Sequence, residues 1–103
     1  MAIKRSVFGT FGGKPVEAFT LVNRNGVKVR VMSHGARLIE MQVPDRDGRL
    51  ADVVLGFDDL DSYANSTLAM GGTCGRVVNR IRQGRFTLDG KVHELTRNWR
   101  GHQ

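Results

Sequence analysis

Residues 75–95 read GRVVNRIRQGRFTLDGKVHEL, and the second half of this stretch decides the fold class. Asp89-Gly90 sits between Gly84 to Leu88 and Lys91 to Leu95. An Asp-Gly pair tolerates the positive φ angles of a type I′ turn, so the stretch predicts two antiparallel strands joined by a tight hairpin. The first half, Gly75-Arg76-Val77-Val78-Asn79-Arg80-Ile81, is glycine-led, with arginines four apart and an asparagine before the second. It predicts a polar loop anchored beside that hairpin.

Upstream, the same kind of signal recurs. Residues 3–12 mix β-formers with glycine and predict an edge strand. Val16 to Val22 predicts a second strand, closed by Asn23-Arg24-Asn25-Gly26, where Asn25-Gly26 is another hairpin signal. Val27, Val29 and Val31 then alternate with Lys28 and Arg30, the period of a half-buried strand. Ala36 to Val43 alternates again, with Ile39, Met41 and Val43 on one side and Leu38, Glu40 and Gln42 on the other. Pro44-Asp45-Arg46-Asp47-Gly48 reads as a turn cluster and Val53-Val54-Leu55 as a short apolar strand. A short helix is expected near 59–64, where an aspartate can accept from free backbone N–H groups. Ala64 to Cys74 reads as a loop, and Arg97 to Gln103 is expected to leave the sheet with Trp99 exposed or awaiting a partner. The fold class is therefore all-β, with antiparallel strands forming part of a sandwich or barrel.

Composition narrows the function. The 103 residues carry a net charge of +6, unevenly spread. Residues 1–75 hold nine Lys/Arg against eight Asp/Glu, whereas residues 76–103 hold seven against two. A basic end can signal nucleic acid, but the aromatic–basic interleaving of an RNA-binding surface is missing, so no nucleic-acid partner is expected. No apolar run approaches the roughly 18 residues of a membrane helix, so no membrane is expected either. The basic pair Lys4-Arg5 has no apolar region behind it, which predicts no secretory signal. Cys74 is the sole cysteine and cannot form an internal disulfide; with the missing signal, this predicts a cytoplasmic location.

Most chemistry is excluded by spacing. His34, His93, His102 and Cys74 do not have metal-ligand spacing, so no metal is expected. Nothing points to a base for Cys74, which is expected to be a small buried thiol. Gly71-Gly72-Thr73-Cys74-Gly75 lacks the Lys-Ser/Thr of a phosphate loop. Asp58, Asp59 and Asp61 read as a helix cap with solvated surface. Trp99 could serve a sugar, a base or a core equally well. Asn79-Arg80 is the best binding candidate, since Asn supplies a donor and an acceptor and Arg a planar, permanently charged fork. A structural arginine bridging loops is the competing reading.

At these residues the chain resembles the N-terminal part of the aldose 1-epimerase, or galactose mutarotase, family. Pro44 to Asp58 is similar to the family's strand–turn–strand, Asp59-Leu60-Asp61-Ser62-Tyr63 to its short helix, Gly75 to Ile81 to its G-R-x-x-N-R-I signature, and Gly84 to Lys91 with Leu95 to the hairpin that follows. Met70 to Cys74 departs from the usual Phe-Gly-Ala type of run. The resemblance implies a large antiparallel β-sandwich with one short helix. It implies interconversion of the α and β anomers of hexoses such as galactose and glucose, by acid/base ring opening without a cofactor. Sugar binding carries over to Arg80, and Asn79 follows as its neighbour, so these two are the expected substrate-binding residues. The family's acid histidine, base glutamate and substrate aspartate lie further downstream, and its Leu-His-Gly-Gly run would begin just after Gln103. His102 stands where the family often has Asn and receives no role. Residues 1–103 are therefore expected to be the truncated N-terminal part of a single mutarotase-like domain, without catalytic residues and inactive alone. Unpaired strand edges would favour self-association. The alternative is a non-catalytic carbohydrate-binding or interaction module.

Overall fold

Register in this chain is set at its turns. Asn23-Arg24-Asn25-Gly26-Val27 and Asp45-Arg46-Asp47-Gly48-Arg49 are built on one plan. In each, the first side chain accepts two backbone N–H groups, from Asn25 (2.9 Å) and Val27 (3.0 Å) at Asn23, and from Asp47 (2.8 Å) and Arg49 (2.9 Å) at Asp45. The Asn23 N–H donates to the Val27 carbonyl at 3.1 Å, the Asp45 N–H to the Arg49 carbonyl at 2.8 Å, and Gly26 and Gly48 donate back to the first residue. Only the glycine takes positive φ, 83° at Gly26 and 81° at Gly48. Asn25-Gly26 is thus not the two-residue type I′ turn its dipeptide suggests. Asn23 captures the loop first and makes it three residues long, ending in a left-handed glycine. Asp89 and Gly90, with φ of 52° and 74°, do form the two-residue turn read from the sequence.

The computed structural model describes residues 2–103, which fall into two compact units, one ending at Thr73 and one running from Cys74 to Gln103. The first unit is a five-stranded antiparallel sheet in chain order: β1 (Ala2–Phe11), β2 (Lys14–Val22), β3 (Lys28–Met32), β4 (Arg37–Pro44) and β5 (Leu50–Asp52). The one α-helix among the described residues, α1 (Leu60–Asn65), follows. The second unit holds one hairpin, β6 (Arg85–Leu88) paired with β7 (Lys91–Glu94). The observed class is all-β and antiparallel, with edges left open at β1 and β5. No helix among the described residues is long and apolar enough to cross a membrane.

The core of the first unit lies where α1 covers one end of the sheet. Val16, Ala18, Met32, Ile39, Leu60 and Tyr63 are buried together, with Phe8 and Phe57 packed against them. Asp59 caps α1 by accepting the Ser62 N–H at 2.7 Å, the role expected of that aspartate cluster. Tyr63 meets Phe57 edge-on at 5.2 Å, the favoured aromatic geometry. Its hydroxyl is buried without a hydrogen-bond partner, so the ring stabilises this core and its oxygen opposes burial.

Two expectations from the sequence are corrected here. The pairing of β3 with β4 shifts between Arg30 and Val31, so that Arg30 faces Glu40 while Val31 faces Leu38. Ile39 is the extra residue of this bulge. It turns to the core side, away from Met41, because a bulge re-aims the side chain it inserts. Next, Val53-Val54-Leu55 is not a strand: β5 ends at Asp52. The Asp52 carboxylate accepts the Met41 N–H at 3.0 Å and the Val54 N–H at 3.1 Å and bends the chain away. Those two backbone donors also hold the Asp52 carboxyl below its ordinary pKa.

Beyond the core, the same sheet face becomes a charged ladder. Glu40 accepts from Lys28 and Arg30, each at 3.1 Å, and from Gln42. Burial works against its charge, but the two cations outweigh that and keep its pKa below the ordinary value.

The unit is closed by residues 69–73 running along the start of β4. The Leu38 N–H donates to the Gly71 carbonyl at 2.8 Å and the Thr73 hydroxyl to the Ala36 carbonyl at 2.6 Å. Gly71 has φ of 66°, and a Cβ there would lie 1.9 Å from the Leu38 carbonyl oxygen. Gly71→Ala should therefore destabilise the protein by about 2 kcal/mol or more, combining left-handed strain with a backbone clash. The shift of the urea midpoint measures it, and a midpoint equal to wild type would show that this approach relaxes freely.

Candidate functional site

The second unit places Asn79 and Arg80 on a loop tied down at its far end. The Ile81 N–H donates to the Gln103 carbonyl at 2.7 Å, and the Gln103 N–H returns to the Ile81 carbonyl at 3.1 Å. Two residues on, the Gln83 N–H donates to His102 Nδ1 at 2.9 Å. His102 Nδ1 is the acceptor here, and the histidine left without a role in the sequence serves as a cap on this loop. Gly84 is buried, and its carbonyl accepts the Leu95 N–H at 2.7 Å. This bond joins the loop to the end of β7.

The last turn brings Trp99 back onto Arg80. Trp99 and His102 exchange both backbone hydrogen bonds, at 3.0 and 2.7 Å, around Arg100 and Gly101, whose φ angles are 44° and 79°. Two consecutive positive φ angles between a narrow pair define a type I′ turn. Residues 97–103 leave the sheet as expected, and Trp99 is 43% exposed. The segment then folds back, and the Arg80 guanidinium carbon lies 4.1 Å from the centre of the Trp99 ring. The Arg100 guanidinium is 5.0 Å from the same centre.

A concavity of about 370 Å³ opens here, lined by Val77, Asn79, Arg80, Asn98, Trp99 and Gln103. Its chemistry is that of a neutral polar ligand site: three carboxamides supply donors and acceptors, one guanidinium supplies donors only, and an indole supplies a flat apolar face. Asn79 has φ of 71°, a conformation asparagine tolerates better than most residues. Its carbonyl accepts an Arg80 Nη1–H at 3.2 Å. No carboxylate among the described residues pairs with Arg80; in this unit the ion pair is Arg85 with Glu94, at 2.6 Å.

The structure thus brings together the two expected residues, Asn79 and Arg80, and adds Asn98, Trp99 and Gln103. Sequence reading left Trp99 open and passed over Asn98. Arg100-Gly101 is a weaker turn signal than Asn-Gly or Asp-Gly, so the fold-back went unread. Cys74 is a correction: its thiol is free and exposed, not buried, because the residues around it are exposed as well. The first unit has its own concavity of about 260 Å³, with Arg30, Glu40, Asp52 and Asp58 on its wall; Glu40 and Asp52 are already committed to the pairings above.

Comparison with known proteins identifies the family and the fold. A family model described as aldose 1-epimerase matches residues 17–103. The chain belongs to the aldose 1-epimerase family. It is 42% identical over 100 residues to galactose mutarotase of Bos taurus, and 42% identical over 100 residues to that of Rattus norvegicus, covering 95% of this chain in each case. It spans about 29% of the length of these curated relatives. Among solved structures, a galactose 1-epimerase from Lactobacillus acidophilus superposes with a TM-score of 0.75 at 24% identity, over 99% of this chain and 29% of that one. The antiparallel arrangement accordingly matches part of the fold of that solved structure.

The fold-back of Trp99 is open to a direct test. Gly101→Val forces a β-branched side chain into the left-handed region, at a cost of about 1–2 kcal/mol. Amide exchange at His102 and Gln103 should accelerate roughly ten-fold, with exchange in β2 and β3 unchanged. Unaltered exchange at both amides would mean that the turn does not depend on this residue.

Proposed function

We propose that these residues form the sugar-gripping part of an aldose 1-epimerase that interconverts the α and β anomers of free hexoses such as galactose and glucose. The observation that carries this reading is Arg80: an exposed guanidinium at the edge of a carboxamide-lined concavity, with no carboxylate partner among the described residues. A hexose offers only hydroxyls and a ring oxygen. Side chains that donate and accept in fixed directions match it, and a charged donor strengthens each bond it makes. Membership of the family supplies the reaction class.

In this reading a base removes the C1 hydroxyl proton while an acid protonates the ring oxygen. The electron pair of the O–H bond becomes the second bond of the C1 carbonyl, and the C1–ring oxygen bond breaks. Rotation about C1–C2 and reclosure give the other anomer. Arg80 and Asn79 hold hydroxyls during this exchange. Neither proton-transfer role is assigned to any residue among these 103. A reducing, cytoplasmic setting is part of the proposal, supported by the free thiol of Cys74.

Loss of a charged hydrogen bond costs about 1.5–3 kcal/mol, so Arg80→Ala in an epimerase carrying this chain should lower kcat/KM for galactose roughly ten- to hundred-fold. Polarimetry of freshly dissolved α-galactose reads this out, and an unchanged kcat/KM would make Arg80 structural. The polypeptide of residues 1–103 alone should give no mutarotation above buffer. Acceleration by the purified polypeptide would show that an acid and a base do lie within it.

A further inference from the structure

We propose that Trp99 is the positioning residue for Arg80: its indole face holds the guanidinium at the sugar site while leaving the N–H edge free to bind. This rests on the sugar-binding reading of Arg80. An arginine side chain can be fixed in two ways. A carboxylate fixes it by occupying its donors, which then cannot serve a ligand. An aromatic face fixes it through the π-cloud and occupies none of them. Arg80 is held in the second way. Its guanidinium carbon lies 4.1 Å from the Trp99 ring centre, and its recorded hydrogen bond, to the Asn79 carbonyl at 3.2 Å, accounts for one of five N–H donors.

The indole is itself held from behind. The Trp99–His102 backbone pair, the Ile81–Gln103 pair and the His102 cap on Gln83 tie the turn to the loop that carries Arg80. Both partners of the stack therefore belong to one braced frame. A long, exposed arginine would otherwise lose rotamer freedom on gripping a ligand. Stacking removes much of that freedom beforehand. Trp99 thus contributes to affinity through Arg80, with no requirement to touch the sugar. Arg100, 5.0 Å from the same ring, adds a second positive charge beside it.

The experiment is a double-mutant cycle on the full epimerase carrying this chain, read by polarimetry on galactose. Trp99→Leu should raise KM about ten-fold and change kcat by less than about two-fold, because what is lost is an ordered ground-state donor. Trp99→Phe, which keeps a ring, should stay within about three-fold of wild type. In the Arg80→Ala background, Trp99→Leu should have no further effect, since it acts only through the missing guanidinium. If Trp99→Leu fails to fold, Trp99→Met keeps the apolar bulk without the ring and carries the same expectation. A wild-type KM in the Leu or Met variant overturns the inference, as does a Trp99 effect that persists undiminished after Arg80→Ala. If Arg80→Ala alone leaves KM and kcat unchanged, the sugar-binding reading fails instead. The two failures are thereby distinguished.

Discussion

An antiparallel strand can double back tightly only where the backbone enters the left-handed region, and every tight register in this protein is fixed at such a point. The chain meets this constraint in two ways. In the loops at Asn23 and Asp45 an Asx side chain gathers the backbone N–H groups ahead of it, and a glycine three residues on takes the positive φ. At Asp89-Gly90 and Arg100-Gly101 both central residues take positive φ, and the return is tighter. The first solution sets the pairing of β2 with β3 and of β4 with β5. The second sets β6 against β7 and brings Trp99 home.

Core and site divide the chemistry between them. In the first unit, apolar burial beneath α1 accounts for one end of the sheet, and the Glu40 ladder for the other. There the cations Lys28 and Arg30 are consumed by a single carboxylate. In the second unit the arrangement is reversed. Arg80 has no carboxylate and leans on an aromatic ring. A cation spent on a carboxylate is structural, whereas one stacked on indole keeps its directional donors. That contrast separates Arg80 from Lys28 and Arg30; Arg37 of the first unit also lies over a ring, 5.6 Å from the centre of Tyr63, but does not line the carboxamide-lined concavity.

The strands were legible where their signals were local. Asp89-Gly90 specifies its own turn, Asp59 its own helix cap, and Val27, Val29 and Val31 their shared face. Misreadings occurred where a neighbour outside the window decided the outcome. Ile39 turns inward because of a register shift against β3, which its own alternation cannot reveal. Val53 to Leu55 looks like a strand by composition, yet the Asp52 side chain captures two N–H groups and ends the pairing first.

By itself the sequence determined the all-β class, the turns after Asn23, Asp45 and Leu88 and the family, and it singled out Asn79-Arg80 as the candidate pair, because each rests on contiguous residues whose preferences act over one turn or one strand. Only the tertiary structure decided what Arg80 stacks on. Trp99 lies 19 residues further along, and the two meet through backbone hydrogen bonds between Ile81 and Gln103. Such bonds carry no side-chain signature: any residue with a free N–H and carbonyl can make them. A contact built on them becomes visible only once the chain has closed.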